Sequence, residues 1–189
     1  MVVTLRNCAL VLMLVALATG VCLAGDNGGK NVRVDVRDAC DPATFDAAVG
    51  AGTCLPGHSG GTITFDDFLA ELGEEGSVGA WKFNPDALNP NRGVTFTLRS
   101  KGGETHTFTR VQQFGGGLVP LLNQIGGFGA TVPECAAPPN ANNVIVPSGQ
   151  TVPGPSVAAG ESAKFQCCIH PWMRTTVNAE QHGHHEGHN

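Results

Sequence analysis

Charge and long apolar runs are scarce in this sequence, and tyrosine is absent. Of 189 residues, 14% are charged, with 11 Lys and Arg against 16 Asp and Glu, for a net charge of -5. This composition excludes a coiled coil, which needs far more Glu, Lys and Leu, and a charge-driven disordered chain. No run of basic residues occurs, so we expect no nucleic-acid partner. The 26 Gly and 12 Pro predict a globular chain rich in turns.

One apolar run, from Ala9 to Ala18, follows Arg6 near the N-terminus and is followed by small residues. This pattern is typical of a cleaved secretory signal, and we interpret residues 1-24 as one. A lipid anchor on Cys22 is the alternative, although Val21 before it fits a lipid-anchor motif poorly. Because no second apolar segment follows, we expect a periplasmic or extracellular protein with no membrane span after cleavage.

The remaining chain is predicted to be all-β, with short strands packed as a β-sandwich. Strand patterns separated by Gly, Pro and Asn turns are typical of such folds. We expect one domain over residues 31-178, with a helical addition at 41-75 and a long loop at 112-143. The predicted strands are 32-36, 80-83, 94-98, 105-111, 144-146, 150-155 and 161-167.

Three short helices are predicted as additions to this sandwich. Asp41 is a good N-cap, followed by Pro in the first turn, for a helix over 42-49. Apolar residues at helical spacing predict a second helix over 65-72, which Gly73 is expected to end. A third, at 119-125, lies inside the long loop.

Residues 179-189 form a predicted disordered tail that is rich in histidine and has no way to build a core. Two alternatives stay open for the tail: a secondary cluster that gathers copper, nickel or zinc, or no metal role. His58, in a Gly-rich turn, is expected to be a solvated turn residue. The tail histidines are His182, His184, His185 and His188.

The metal-binding pattern of the chain is a short segment with three different donors. Cys167, His170 and Met173 are spaced as Cys-x-x-His-x-x-Met and offer a thiolate, an imidazole and a thioether. Soft sulfur donors combined with imidazole suit copper that cycles between Cu(I) and Cu(II). Zinc binds Cys and His but takes Met poorly. His106, which follows a Gly-Gly turn on a predicted strand, is the natural fourth donor.

Strand alternation favours Cys167 over Cys168 as the thiolate ligand. Phe165 and Cys167 share one face of the strand, while Cys168 points the other way. For Cys168 two alternatives stay open, a disulfide with Cys135 or a free thiol. Cys40 and Cys54 bracket the first predicted helix and are predicted to form a disulfide.

The stretch from Cys167 to Arg174 resembles the copper loop of the cupredoxins, the type 1 blue copper proteins of the plastocyanin and amicyanin kind, in the form where Pro follows the ligand His. The segment from Phe83 to Phe108 also resembles the cupredoxin strand pair that leads to the first His. The similarity covers roughly residues 80-111 and 144-178, and the N-terminal third and the long loop lie outside it as additions. It implies a Greek-key β-sandwich and four copper ligands: His106, Cys167, His170 and Met173.

Three departures from that pattern stand out, one of which is the second cysteine, Cys168, directly after Cys167. The gap of 61 residues from His106 to Cys167 is longer than in small cupredoxins, which leaves room for the intervening loop to cover the site. Thr107 follows the His where many small cupredoxins have Asn or Asp.

The resemblance implies an exported monomer that carries single electrons on one Cu(I)/Cu(II) ion. Its partner would be a redox protein such as a cytochrome or a copper or haem enzyme. His170, flanked by Pro171 and Trp172 as the docking residues, would reach the surface as the electron exit. No enzyme activity is expected, because four ligands fill the site and no general base is expected beside them. The alternatives are a copper-buffering protein that uses its tail, and a metal-free, disulfide-stapled adhesion module.

Overall fold

The computed structural model describes residues 29–57, 62–136 and 142–180. Two mixed β-sheets pack face to face, with strand orders β2-β1-β4-β7 and β3-β9-β8-β5-β6. The predicted all-β sandwich with helical additions is confirmed. The strands are β1 Lys30–Arg37, β2 Lys82–Asn84, β3 Ala87–Leu88, β4 Val94–Ser100, β5 His106–Val111, β6 Asn143–Val146, β7 Thr151–Val157, β8 Ser162–Gln166 and β9 Arg174–Asn178. The helices are α1 Pro42–Val49, α2 Phe65–Glu75, α3 Pro120–Gly126 and α4 Pro133–Ala136.

The core lies between the two sheets, where strand alternation sends apolar side chains inward. Phe108 of β5 stacks on Phe165 of β8 with ring centroids 4.5 Å apart, and Phe96 of β4 meets both edge-on from the other sheet. All three rings are fully buried. Such aromatic contacts hold the sheets together and fix the strand ends from which the site is built.

The first strand, β1, is a central strand of its sheet. It runs parallel to β4 over seven residue pairs, from Lys30 beside Val94 to Val36 beside Ser100, and antiparallel to β2. The interpretation of the whole N-terminal third as an addition was therefore wrong for β1. The addition begins after that strand, because a sandwich missing β1 would lose the neighbour of both β2 and β4.

Helix α1 begins as predicted, since the Asp41 carboxylate accepts a hydrogen bond from the Thr44 amide at 3.0 Å. Helix α2 does not end at Gly73, contrary to prediction. It continues to Glu75, and Gly76, at φ 66°, caps it in the left-handed conformation. A glycine inside a helix costs only about 1 kcal/mol, and the Gly76 amide closes the last turn by donating to Leu72 O at 2.9 Å.

Ala179 and Glu180 are not part of a disordered tail, contrary to prediction. Ala179 donates from its amide to Glu161 O at 2.9 Å, and Glu180 donates to Pro90 O at 2.8 Å, so both belong to the body of the domain. The predicted signal peptide, His58 and residues 181-189 lie outside the described residues. None of the helices in the described part of the chain has the length and apolar character of a membrane span.

Candidate metal centre

Three predicted donors meet at one end of the sandwich. His106 is the first residue of β5, Cys167 directly follows β8, and His170 lies in the turn that leads to β9. The Sγ of Cys167 lies 3.8 Å from Nδ1 of His106, and the two Nδ1 atoms are 3.3 Å apart. The ligand atoms of all three side chains fall within 4.8 Å of one another. Each is shielded from water, with exposures of 0%, 0% and 2%.

These separations fit a single metal ion. With bonds of about 2.0 Å to nitrogen and about 2.3 Å to sulfur, trigonal donors stand about 3.5 Å apart for N–N and about 3.7 Å for N–S. The Nδ1–Nδ1 and Sγ–Nδ1 distances are close to these values. The group can therefore hold a first-row transition ion between His106, Cys167 and His170 without a change of fold.

The surroundings of Cys167 favour the thiolate form of its side chain. The peptide N–H groups of Thr107 and His170 point at it from 3.4 and 3.5 Å. Burial by itself would raise the pKa of Cys167, but hydrogen bonds from both histidines outweigh burial and hold the pKa well below its usual range. A thiolate is the form that binds metals.

Met173 is buried at the same end of the fold. Its amide donates to His170 O at 2.9 Å, and its carbonyl accepts from the Cys167 amide at 3.0 Å. These two bonds close the turn from Cys167 to Met173 into a compact loop. The fourth predicted donor therefore lies on the same short loop as two of the others.

Two carboxylates beside the histidines were not predicted. Asp38 Oδ2 lies 2.7 Å from Nε2 of His106, and Glu104 Oε2 lies 3.5 Å from Nε2 of His170. Both are buried and accept hydrogen bonds within the protein. Asp38 is 68 residues away from His106, so spacing along the chain could not reveal it, whereas Glu104, two residues before His106 on the predicted strand, was a visible signal.

The Asp38–His106 pair shifts both groups toward their charged forms. Burial alone would lower the pKa of His106, but hydrogen bonds to Asp38 and Cys167 outweigh it and raise the pKa to about 10. Burial would likewise raise the pKa of Asp38. The bond to His106 and those from the Gly103 and Glu104 amides keep that pKa below its ordinary value.

His170 does not reach the surface, contrary to prediction. Phe68 of α2 meets its ring edge-on at 6.1 Å between centroids, with Trp81 at 6.3 Å and Trp172 at 5.3 Å. Helix α2 belongs to the N-terminal addition, so a segment outside the resemblance covers the ligand. Of the two predicted docking residues, Pro171 is buried and Trp172 is half-buried.

Both predicted disulfides are present. Cys40 is bonded to Cys54, and Cys168 is bonded to Cys135, which resolves the alternatives for Cys168. Cys167 is the free cysteine of the described residues and faces the core, as strand alternation predicted. The second disulfide ties α4 of the long loop to the strand end that carries Cys167.

The long loop and Thr107 both brace the ligand strand. Thr107 Oγ1 accepts from the Cys168 amide at 2.7 Å, so Thr performs a clamping role between the two ligand segments. Leu118 donates from its amide to Cys168 O at 2.6 Å. A Cβ on Gly117 would lie 2.2 Å from that same oxygen, which explains why the loop has glycine where it crosses Cys168.

Comparison with solved structures shows only a distant similarity. No family model matches the sequence, and a search of curated proteins gives no match. Among solved structures, a novel purple cupredoxin from Nitrosopumilus maritimus matches at 17% identity with a TM-score of 0.34, over 55% of this chain and 86% of that one. So low a similarity carries no argument about function, which has to be derived from the site itself.

Proposed function

We propose that this protein is an exported cupredoxin-like electron carrier that holds one copper ion. The observation that carries the proposal is the convergence of His106 Nδ1, His170 Nδ1 and Cys167 Sγ in a site closed to water. A His-Cys-His set with a weak axial Met is the arrangement of blue-copper electron-transfer sites. Met173 is the axial donor in this proposal, because its backbone places it on the same loop.

Burial favours electron transfer over substrate chemistry. The donors are enclosed by α2, Trp81 and the long loop, so a substrate cannot approach the ion. Protein interiors are closely packed, and the hydrogen bonds from two peptide N–H groups to the Cys167 sulfur hold it in place. Copper would supply the one-electron chemistry, and the chain would keep the ligand geometry nearly unchanged as the charge changes.

Trp172 is the proposed electron exit in place of His170. Its ring lies 5.3 Å from that of His170 and is stacked against Phe128 at 5.8 Å, and part of it reaches solvent. A redox partner such as a cytochrome or a copper or haem enzyme would contact this edge. Leu118, whose amide is hydrogen-bonded to Cys168 O, is a further exposed apolar side chain close to the copper loop.

Export is proposed from the signal-like residues 1-24 and supported by the two disulfides, which persist in oxidising compartments. Mass spectrometry of the protein from the periplasm or the culture medium tests this point. A mature N-terminus near residue 25 is expected. A chain that retains Met1 inside the cytoplasm would contradict it.

The test of the copper site is the absorption spectrum of the Cu(II)-loaded mature protein. We expect an intense thiolate-to-copper band that is lost in Cys167→Ala and retained in a variant lacking residues 181-189. A pale spectrum that depends on the tail would instead support the second candidate, a copper-buffering protein. If the protein takes up no copper while Cys167 is reduced, the remaining candidate function is the metal-free adhesion module.

A further inference from the structure

Each candidate imidazole lies between the metal-facing cluster and a buried carboxylate. Nδ1 of both rings points toward the Cys167 side of the site, while Nε2 faces Asp38 in one ring and Glu104 in the other. Metal-binding histidines commonly donate their second N–H to such an acceptor, which sets the tautomer and raises ligand basicity. Asp38 is within hydrogen-bond distance of His106, Glu104 is within ion-pair distance of His170, and both carboxylates are buried.

Asp38 is built into the fold as an anion. Its side chain has no exposure to solvent and accepts hydrogen bonds from the Gly103 amide at 2.8 Å and the Glu104 amide at 3.2 Å. Gly102 leaves the space in which the carboxylate sits, because a Cβ there would lie 1.8 Å from Oδ2. Peptide donors aimed at a buried carboxylate favour its charged form.

Glu104, the carboxylate that faces His170, is also held by a hydrogen bond. The indole N–H of Trp81 donates to Oε2, the same oxygen that faces His170. Trp81 is itself buried and is stacked on Phe45 of α1. The N-terminal addition thus packs against the indole that holds the carboxylate beside His170.

A second metal ion is the competing interpretation, since Asp38, Glu104 and His106 also have ligand atoms within 4.8 Å of one another. The hydrogen bonds argue against it. Both oxygens of Asp38 already accept peptide N–H groups, and Oδ2 also contacts Nε2 of His106. Oε2 of Glu104 accepts from Trp81. These oxygens are acceptors in a closed network.

We propose that Asp38 and Glu104 are positioning residues of the metal centre, which lock both imidazoles with Nδ1 toward the ion and bias the site toward Cu(II). This inference rests on the proposed copper site. One-electron reduction of Cu(II) to Cu(I) removes a positive charge, and two buried anions behind the ligands make that loss unfavourable. The thiolate of Cys167 adds a third negative charge at the site.

The test compares isosteric neutral variants of the copper-loaded mature protein. We expect Asp38→Asn and Glu104→Gln each to raise the preference for Cu(I) over Cu(II) about tenfold, which equals about 59 mV in midpoint potential. Chelator competition measures both dissociation constants and voltammetry measures the potential. The matched controls are Asp35→Asn on β1 and Glu161→Gln beside Arg110, each of which removes one negative charge from a partly exposed ion pair away from the histidines.

A second measurement shows which ring nitrogen of each histidine carries the proton. In the Cu(I) protein, nitrogen NMR should show both rings protonated at Nε2, and each variant should change the Nε2–H signal of its own histidine, His106 for Asp38→Asn and His170 for Glu104→Gln. A merely structural role would move neither this signal nor the potential. If Asp38→Asn fails to fold, Glu104→Gln decides the question.

The outcomes separate the inference from the proposed function. A wild-type protein without the thiolate-to-copper band overturns both. A normal band, with variants that shift no more than the two controls, overturns the inference alone. Two bound metal equivalents, one of them lost in Asp38→Asn, would show that these oxygens are ligands and would also overturn it.

Discussion

Gly102 and Asp38 occupy the same small space beside the metal centre. A Cβ built on Gly102 would lie 1.8 Å from Oδ2 and 2.0 Å from Cγ of Asp38. The carboxylate cannot move aside freely, because it is buried and held by the Gly103 amide and by His106. A turn thus makes room for the carboxylate that contacts His106.

Gly102→Ala is expected to destabilise the protein by about 1–3 kcal/mol through overpacking and displacement of Asp38. Urea unfolding midpoints measure the change. Gly73→Ala is the matched control, since an added Cβ meets only Ile125 at an ordinary 3.6 Å within a helix. The control should gain about 0.5–1 kcal/mol. Equal effects from the two substitutions would show that Asp38 is not confined by the turn.

The Cys135–Cys168 disulfide is expected to contribute stability without supplying a ligand. It joins residues 33 positions apart, so replacing both cysteines by Ala should cost about 3–4 kcal/mol of unfolding free energy. The thiolate-to-copper band should persist, because Cys167 faces the core and Cys168 faces the loop. Loss of the band in this double variant, with the fold intact by circular dichroism, would point to Cys168 as the ligand.

The metal-free protein should have a flat stability profile between the ordinary pKa values of His and Cys, 6.5 and 9.0. In that window the folded pair carries one proton, on His106, and the unfolded chain also carries one, on the Cys167 thiol. Equal proton counts give no pH slope. Above 9.0 the unfolded chain loses its proton while His106 keeps one up to about pH 10, so stability should fall.

Below pH 6.5 the sign reverses, because the unfolded chain binds the additional proton and stability should fall as the pH decreases. Unfolding midpoints of metal-free protein across pH 5.5 to 10 test this profile. Cys167→Ser is the informative variant. Without the thiolate, the contact with Asp38 remains to raise the pKa of His106, so stability should decline from pH 6.5 upward, by at most about 1.4 kcal/mol per pH unit and only up to a His106 pKa below the wild-type value of about 10. Stability that does not change above pH 6.5 in this variant would show that Asp38 alone does not raise the pKa of His106.

Replacing Trp172 should slow electron exchange while leaving the potential unchanged. Its side chain is half-buried and lies next to the buried His170. NMR line broadening in mixtures of the Cu(I) and Cu(II) protein measures self-exchange without a partner. We expect Trp172→Leu to be slower than wild type, and Trp172→Phe, which keeps an aromatic ring, to lie between them. Identical rates for all three proteins would place the exit elsewhere.

Local chemistry in the sequence was enough to predict much of the site. The spacing from Cys167 to Met173 needs only one short loop, and strand alternation is sufficient to separate Cys167 from Cys168. The Asp41 N-cap predicted α1 for the same reason, since a cap acts within one turn. These features depend on contacts between residues only a few positions apart.

Tertiary structure alone decided how the site is enclosed. The contact of Asp38 with His106 exists because β1 runs parallel to β4 and ends beside the turn that leads into β5, a pairing that no local pattern encodes. The cover over His170 likewise depends on where α2 packs. The order of residues along the chain set the types of candidate donor and their spacing. Their charge environment and access to solvent were set by contacts between distant segments, because burial is a property of the packed fold.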